Sequence, residues 1–251
     1  DDVTKETVSE SPSEQPVSTP QPVSEPAVWT EPETYPESEG ARKAYLTFDD
    51  GCSEQTDRIL DILAQYGVKA TFFVTKQEGE ENAARYRRIV AEGHSIGLHS
   101  MSHNYKIVYA SMESYIADVE GIRQFVLETT GVDSHLYRFP GGSSNTVSQF
   151  PVEDCIRYLK QNGYRYYDWN IDTSDAVNHK MSAQELVEKA LAPAVDRYHN
   201  CVILMHDSGS QGTTVEALPY IIEGLRARGM EILPITGNTP LVQHKKASSV
   251  Q

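Results

Sequence analysis

The 251-residue sequence has no apolar run of about 18 residues, the length that a membrane-spanning helix requires. Its first residues also lack the basic-then-apolar pattern of a secretory signal peptide. Cysteine is scarce: Cys52, Cys155 and Cys201 are an odd number and show no CxxC spacing. The sequence therefore predicts neither a disulfide framework nor a cysteine metal site.

Positive charge is also in short supply, with 22 Lys and Arg residues against 36 Asp and Glu residues, a net charge of −14. Residues 1–40 hold ten acidic residues and one lysine, or −9, which leaves −5 for residues 41–251. No part of the chain has the basic footprint of a nucleic-acid-binding surface. We therefore expect no nucleic-acid partner.

The first forty residues differ in composition from the rest. They contain 7 of the 13 prolines, many Ser, Thr and Glu residues and almost no large apolar residues. Such a segment cannot bury enough surface to offset its ordering entropy. We predict a disordered linker over 1–40, a folded domain over 41–240 and a flexible C-terminal tail over 241–251. A linker of this composition favours an exported protein, secreted or associated with the cell envelope.

From residue 42, short apolar or aromatic runs alternate with longer amphipathic stretches. The candidate strands are 43–48, 70–74, 95–98, 135–139, 164–169, 201–205 and 230–235. The candidate helices lie near 54–66, 81–92, 111–130, 151–162, 182–196 and 214–228. Repeated strand–helix units build a parallel sheet with functional loops at the carboxyl ends of its strands. The sequence thus predicts an α/β fold, a distorted and incomplete (β/α) barrel of about seven parallel strands.

Polar clusters follow the ends of five of the predicted strands. They are residues 49–50, 99–103, 138–142, 168–175 and 204–208. Because the carboxyl ends of parallel strands open onto one mouth of a barrel, we expect these clusters to share one site.

His99 and His103 are four residues apart, which on one helical turn would place both imidazoles on the same side. Such a pair alone is more often a polar surface than a metal site, and this one is not part of an HExxH motif. The adjacent Asp49 and Asp50 repel one another and gain nothing from packing. One aspartate and two histidines form a three-ligand site for zinc or a similar divalent ion, and the other aspartate can accept a proton from water.

A hydrolase also needs a general acid for its leaving group, and His206 at the end of the sixth predicted strand is the candidate. A carboxylate must fix the orientation of its imidazole, and either Asp172 or Asp175 can supply one. Arg138 is a candidate to hold the proton-accepting carboxylate ionised, since a neighbouring guanidinium favours the charged form.

Over about residues 42–240, these residues occur in five ordered motifs that resemble the polysaccharide deacetylases of carbohydrate esterase family 4. TFDDG resembles the first motif, which implies that Asp49 is the catalytic base and Asp50 a metal ligand. HSMSH resembles the second motif, which implies that His99 and His103 are the other two ligands.

RFPGG resembles the third motif, in which the arginine, here Arg138, positions the base. The backbone N–H after the proline of that motif helps to bind the oxyanion, so the resemblance places Pro140 and Gly141 at the substrate. LMH resembles the fifth motif and implies that Leu204 lines the acetyl pocket and His206 is the catalytic acid.

DTSD resembles the fourth motif, whose first aspartate orients the catalytic histidine. Asp172 is therefore assigned this role, and Asp175 is left out of the catalytic set. Ala176 stands where the motif usually ends in tryptophan, and Cys52 stands where proline often follows the first motif. Both departures concern the shape of the substrate groove, and Trp169 is an open candidate to fill the space of the missing tryptophan.

The resemblance implies metal-dependent removal of N-acetyl groups from N-acetylglucosamine residues of a cell-wall polysaccharide, either peptidoglycan or chitooligosaccharide, with release of acetate. The implied cofactor is a divalent cation, zinc with cobalt or nickel as alternatives. We also expect a monomer, and the linker favours a location outside a bacterial cell or in its envelope. Two other hypotheses stay open: an O-acetyl esterase acting on xylan, and a carbohydrate-binding wall module without catalysis.

Overall fold

The computed structural model describes residues 40–177 and 180–250 of the chain. The predicted linker lies outside these ranges, apart from Gly40. Within them the strands are β1 (Lys43–Asp49), β2 (Thr71–Thr75), β3 (Ser95–Ser100), β4 (Leu136–Tyr137), β5 (Arg165–Tyr166), β6 (Ile171–Asp172), β7 (Asn200–His206) and β8 (Glu231–Ile232). The helices are α1 (Glu54–Tyr66), α2 (Glu80–Ala91), α3 (Tyr105–Val108), α4 (Met112–Thr130), α5 (Val152–Gln161), α6 (Ala183–Ala190) and α7 (Gly212–Ala227). None of these helices is long and apolar enough to cross a bilayer.

The strands form one parallel sheet in the order β5-β4-β3-β2-β1-β7-β6, and the short β8 pairs with the start of β1. The two ends of this order, β5 and β6, follow one another in the sequence. Residues 167–170 therefore cross the gap between the two edges of the sheet, and β5 does not pair with β6. The predicted fold, an incomplete (β/α) barrel of about seven parallel strands, is confirmed.

Of the predicted fifth strand, residues 164–169, only Arg165–Tyr166 forms a strand, and the unpredicted β6 follows at Ile171–Asp172. The segment between them changes its hydrogen-bonding partners. Asp168 N–H donates to the carbonyl of Val242 at 2.8 Å, away from the sheet. The side chain of Asn170 then fastens the chain to β7, since its Oδ1 accepts the N–H of Val202 at 2.8 Å. This change of partner places the residues that follow β6 beside the end of β7.

Side chains alternate between the two faces of β1, as they do in any strand. Ala44, Leu46 and Phe48 belong to the larger core between sheet and helices. Tyr45 belongs to a smaller cluster built from strands and loops alone, which fills the inside of the barrel. Asp49 continues the alternation of Tyr45, so its carboxylate points inward at the mouth of the barrel.

The segment after residue 240 is hydrogen-bonded to the rest of the fold. Lys160 Nζ donates to the carbonyls of Ala247 at 3.0 Å and Val250 at 2.6 Å. Gln243 Nε2 donates to the carbonyl of Tyr166 at 3.0 Å. The predicted domain limit at residue 240 and the predicted mobility of 241–251 stay predictions.

Candidate active site

A pocket of about 260 Å³ opens at the carboxyl ends of the strands, and all five predicted polar clusters contribute to it. Its lining residues are Asp49, Asp50, His99, His103, Tyr105, Phe139, Gly141, Trp169, Asp172, Ser174, Ala176, Val177, Leu204 and His206. Among the predicted site residues, only Arg138 and Pro140 are not part of this lining, and both of them are buried.

Asp50, His99 and His103 form a group of metal-ligand type, with their donor atoms within 4.8 Å of one another. Asp50 Oδ1 lies 3.4 Å from His99 Nε2 and 3.3 Å from His103 Nε2. Two atoms that each bind a tetrahedral zinc ion at about 2.0–2.1 Å would lie roughly 3.3 Å apart. The buried Oδ1 atom has no hydrogen-bond partner among the described residues. The spacing and the orphaned oxygen both fit a divalent cation.

The electrostatics of this group favour an ionised carboxylate. Burial raises the pKa of Asp50, but the neighbouring imidazoles of His99 and His103 outweigh that effect and hold the pKa well below its usual range. The carboxylate is therefore in the charged form that a cation requires.

The orientation of the His99 ring is set by its second nitrogen. Nδ1 lies 2.7 Å from the carbonyl oxygen of Arg138, which only an N–H on that nitrogen can satisfy. Nε2 then carries a free lone pair towards Asp50, as a metal ligand requires. His99 is buried, so this orientation is fixed by packing as well.

The prediction that His99 and His103 share one helical turn is wrong. His99 lies in β3, and His103 follows in a loop with a φ of 50°. Ser100 closes this loop, because its Oγ accepts the N–H of His103 at 2.9 Å and donates to Asp118 Oδ1 at 3.1 Å. A side-chain-stabilised turn brings the two rings to a centroid distance of 5.1 Å.

Asp49 is paired with a buried arginine. Arg138 Nη1 donates to Asp49 Oδ1 at 2.9 Å and to Thr47 Oγ1 at 2.7 Å. The same guanidinium donates to the carbonyls of Tyr167 and Asp168 and lies over the ring of Phe73, 4.3 Å from its centroid; its exposed fraction is 0%. Full burial rules out an incidental surface ion pair for this arginine.

His206 is held by Asp175, and the prediction that Asp172 does this is wrong. Asp175 Oδ1 lies 2.7 Å from His206 Nδ1, and Asp175 Oδ2 accepts the backbone N–H of His206 at 2.8 Å and the hydroxyl of Thr214 at 2.7 Å. Asp172 is exposed and accepts the N–H of Ser174 instead. Because β6 ends at Asp172, the next residues turn back towards β7 and carry Asp175 to the histidine.

The contact with Asp175 changes the pKa of the His206 imidazole. Burial alone lowers the pKa of His206, but the hydrogen bond and charge of Asp175 outweigh burial and raise it to about 9. With Nδ1–H on Asp175, Nε2 is the nitrogen left to face the pocket.

Gly141 occupies a turn that exposes its amide. The carbonyl of Phe139 accepts the N–H of Gly142 at 2.8 Å, and Gly141 has a φ of 76°, the pattern of a type II turn with Pro140 at its second position. The N–H of Gly141 takes part in no hydrogen bond within the described residues. Pro140 contributes through its carbonyl, which accepts the hydroxyl of Tyr109 at 2.8 Å and so fixes the turn.

Asp207 is a residue that sequence reasoning missed. Its Oδ1 accepts the N–H of Gly51 at 2.9 Å, its Oδ2 accepts the hydroxyl of Thr56 at 2.6 Å, and its own N–H donates to the carbonyl of Asp49 at 3.0 Å. A Cβ on Gly51 would come within 2.1 Å of this carboxylate. Burial, with the charges of Asp50 and Asp49, raises the pKa of Asp207 to about 7. Its position next to His206 in the sequence is the signal that could have identified Asp207 as a site residue.

Asp168 lies in the predicted polar cluster 168–175, but sequence reasoning did not identify a role for it. Its buried carboxylate accepts the N–H of Ser143 at 2.8 Å, the hydroxyl of Ser143 at 2.5 Å and the N–H of His244 at 2.8 Å. It therefore joins the loop after Gly141 to the C-terminal segment.

The two departures from the motif pattern have different outcomes. Trp169 lines the pocket together with Ala176, and its ring packs edge-on against His244 at a centroid distance of 4.8 Å. Cys52 is 3% exposed within the main core, and burial raises the pKa of its thiol well above the usual range. Its contacts give Cys52 a packing role.

Comparison with known proteins identifies the family. The family "Polysaccharide deacetylase" matches residues 37–167. The chain is 36% identical, over 77% of its length and 67% of the relative's, to a putative polysaccharide deacetylase of Bacillus subtilis. It is 34% identical, over 75% of its length and 67% of the relative's, to a peptidoglycan-N-acetylglucosamine deacetylase of Bacillus cereus.

A solved structure shares the fold. The catalytic domain of a peptidoglycan N-acetylglucosamine deacetylase from Eubacterium rectale superposes with a TM-score of 0.77 at 34% identity, covering 83% of this chain and 95% of that one.

Proposed function

Since the chain belongs to the polysaccharide deacetylase family, carbohydrate esterase family 4, we propose that it removes N-acetyl groups from N-acetylglucosamine residues of peptidoglycan. One observation carries the proposal: a single pocket combines the ligand-type atoms of Asp50, His99 and His103 with the carboxylate of Asp49 and the imidazole of His206. The names of the Bacillus cereus and Eubacterium rectale relatives support peptidoglycan as the substrate. Chitooligosaccharide is our second choice.

Asp50, His99 and His103 would hold the cofactor. Two imidazoles and one carboxylate suit zinc, with cobalt or nickel as the alternatives. A bound cation would polarise the acetyl carbonyl and lower the pKa of a water molecule. The 3.3 and 3.4 Å separations between Asp50 Oδ1 and the two Nε2 atoms support this ligand set.

Asp49 would act as the general base. Its carboxylate would take a proton from the attacking water, while the buried Arg138 keeps Oδ1 in place at 2.9 Å. As the C–O bond forms, negative charge develops on the acetyl oxygen. The free N–H of Gly141, held at the pocket wall by its turn, would donate to that oxygen.

His206 would act as the general acid. Its raised pKa keeps the imidazole protonated near neutral pH, and Asp175 fixes Nδ1 so that Nε2–H faces the pocket. As the C–N bond breaks, this proton would go to the departing nitrogen. The products are acetate and a glucosamine residue with a free amine. Leu204, on the pocket wall, would contact the acetyl methyl group.

We place this activity outside a bacterial cell or in its envelope, where peptidoglycan is found, and propose that the chain acts as a monomer. Sedimentation of the purified protein tests the second statement directly, because a dimer has twice the 28.0 kDa mass of the chain.

The test is incubation with peptidoglycan, chitooligosaccharide and acetylxylan in the presence of zinc, cobalt or a chelator. Mass spectrometry of the glycans, together with acetate assay, would show loss of N-acetyl groups from peptidoglycan with metal and none with chelator. Asp49→Asn is the matched control, since it keeps the side-chain shape and removes the base.

Two outcomes would replace the proposal. Release of acetate from acetylxylan but not from N-acetylglucosamine polymers would establish an O-acetyl esterase. Glycan binding by the metal-loaded protein, with no deacetylation above that of Asp49→Asn, would establish a binding module.

A further inference from the structure

Tyr105 lies between the two parts of the pocket that the proposed reaction uses. Its ring contacts the ring of His103 at a centroid distance of 5.3 Å. On the other side, a Cβ added to Gly141 would lie 3.4 Å from the Tyr105 hydroxyl oxygen and 3.6 Å from Cζ. Tyr105 therefore lies between the ligand group and Gly141.

The hydroxyl of Tyr105 has no hydrogen-bond partner in residues 40–177 and 180–250. The neighbouring Tyr109 hydroxyl, in contrast, donates to the carbonyl of Pro140 at 2.8 Å. Tyr105 is half-buried and packs on Tyr109 at a centroid distance of 6.2 Å, so its ring is held in place. A hydroxyl that is held in place, lines a pocket and bonds to no protein group is available to a ligand.

The position of the substrate's acetyl oxygen follows from the proposed function, on which this inference rests. That oxygen must lie within reach of both the cation site beside His103 and the N–H of Gly141. Tyr105 contacts His103, its hydroxyl lies 3.4 Å from where a Cβ of residue 141 would be, and it lines the same pocket. We propose that the Tyr105 hydroxyl donates a second hydrogen bond to the acetyl oxygen, in addition to that of the Gly141 amide. This hydrogen bond becomes stronger as negative charge develops on the oxygen.

The glycine at position 141 is part of this arrangement. With a φ of 76°, any residue other than glycine would be strained there, and its Cβ would lie in van der Waals contact with the Tyr105 hydroxyl at 3.4 Å. Because residue 141 has no side chain, there is room for the Tyr105 hydroxyl and the Gly141 amide to donate hydrogen bonds to the same substrate atom.

The test is Tyr105→Phe, which keeps the ring on His103 and removes only the donor. For an oxyanion donor, kcat should fall roughly 10²-fold with KM almost unchanged. Zinc content and the thermal unfolding midpoint should match those of the wild type. Tyr220→Phe on α7, where the side chain is 62% exposed, is the matched control and should keep full activity.

Three results would overturn the inference. A kcat within about twofold of wild type would mean that the hydroxyl contacts no group that changes charge. A loss confined to KM would place the hydroxyl on another part of the sugar, and a loss of zinc would mean that Tyr105 acts through His103. Failure of the proposed function is distinguishable, because the wild type would then release no more acetate than Asp49→Asn.

Discussion

Asp175 forms two hydrogen bonds with His206, one between Oδ1 and Nδ1 at 2.7 Å and one between Oδ2 and the backbone N–H at 2.8 Å. This double contact fixes both the tautomer of the ring and the position of the residue that carries it. Thr214 completes the support by donating its hydroxyl to Asp175 Oδ2 at 2.7 Å. The imidazole therefore has little freedom to turn away from the pocket.

We expect Asp175→Asn to move the pH dependence of the reaction. The rate depends on protonated His206, so it falls as the pH rises through the pKa of this group, which Asp175 raises to about 9. Loss of the charge lowers that pKa, so the alkaline limb of the kcat profile should shift to lower pH by about 1–2 units. Asp172→Asn is the control and should leave the limb in place. A shift with Asp172→Asn alone would restore the assignment made from the motif.

We expect removal of the metal to abolish activity and its return to restore it. Chelator-treated protein should regain deacetylation on addition of one equivalent of zinc, as followed by acetate release. His103→Ala should lower the zinc affinity by at least about tenfold, because the group then has only two ligands. His199→Ala, an exposed histidine outside the pocket, should bind zinc like the wild type. Full activity in chelator would contradict the ligand set.

We expect Arg138→Met to destabilise the protein strongly. The change leaves the buried Asp49 carboxylate without its counter-charge, a situation that typically costs about 3–5 kcal/mol in the free energy of unfolding. Urea denaturation would measure it. The double variant Asp49→Asn with Arg138→Met should lose less than the sum of the two single changes, since no unpaired charge remains. Additive losses would mean that the ion pair contributes nothing as a pair.

We expect Asp207 to make stability depend on pH in metal-free protein. Its pKa of about 7 in the folded state lies above the value near 3.9 of an unfolded chain. Between these two values the folded state binds more protons, so the contribution of Asp207 falls as the pH rises. The free energy of unfolding of the wild type relative to Asp207→Asn should decline from about pH 4 to 7, by at most about 1.4 kcal/mol per unit. A constant difference would contradict this.

Much of the site was predictable because its residues sit next to strong strand signals. Asp49 and Asp50 end an apolar strand, and His206 ends another, so parallel topology alone brings them to one mouth. The partner of His206 was not predictable in this way. Asp172 and Asp175 are three residues apart, and only the end of β6 decides which of them turns back to β7.

The short edge strands were the least predictable part of the fold. β5 and β6 have two residues each, and the chain between them is fixed by contacts distant in sequence. Asp168 bonds to Val242, and Asn170 bonds to Val202, separations of 74 and 32 residues. No local pattern records such pairings, whereas the seven-residue β1 and β7 carry their own apolar signal.

Two of the three residues of the ligand group, Asp50 and His103, have positive φ values of 75° and 50°. This backbone region costs a non-glycine residue roughly 1–2 kcal/mol. Glycine at either position would relieve this strain, but it would also remove one of the three ligand-type side chains, and at Asp50 it would remove the carboxylate that the two imidazoles stabilise. Backbone strain and the cation site are therefore linked at these two positions, so engineering of this chain should hold both of them constant.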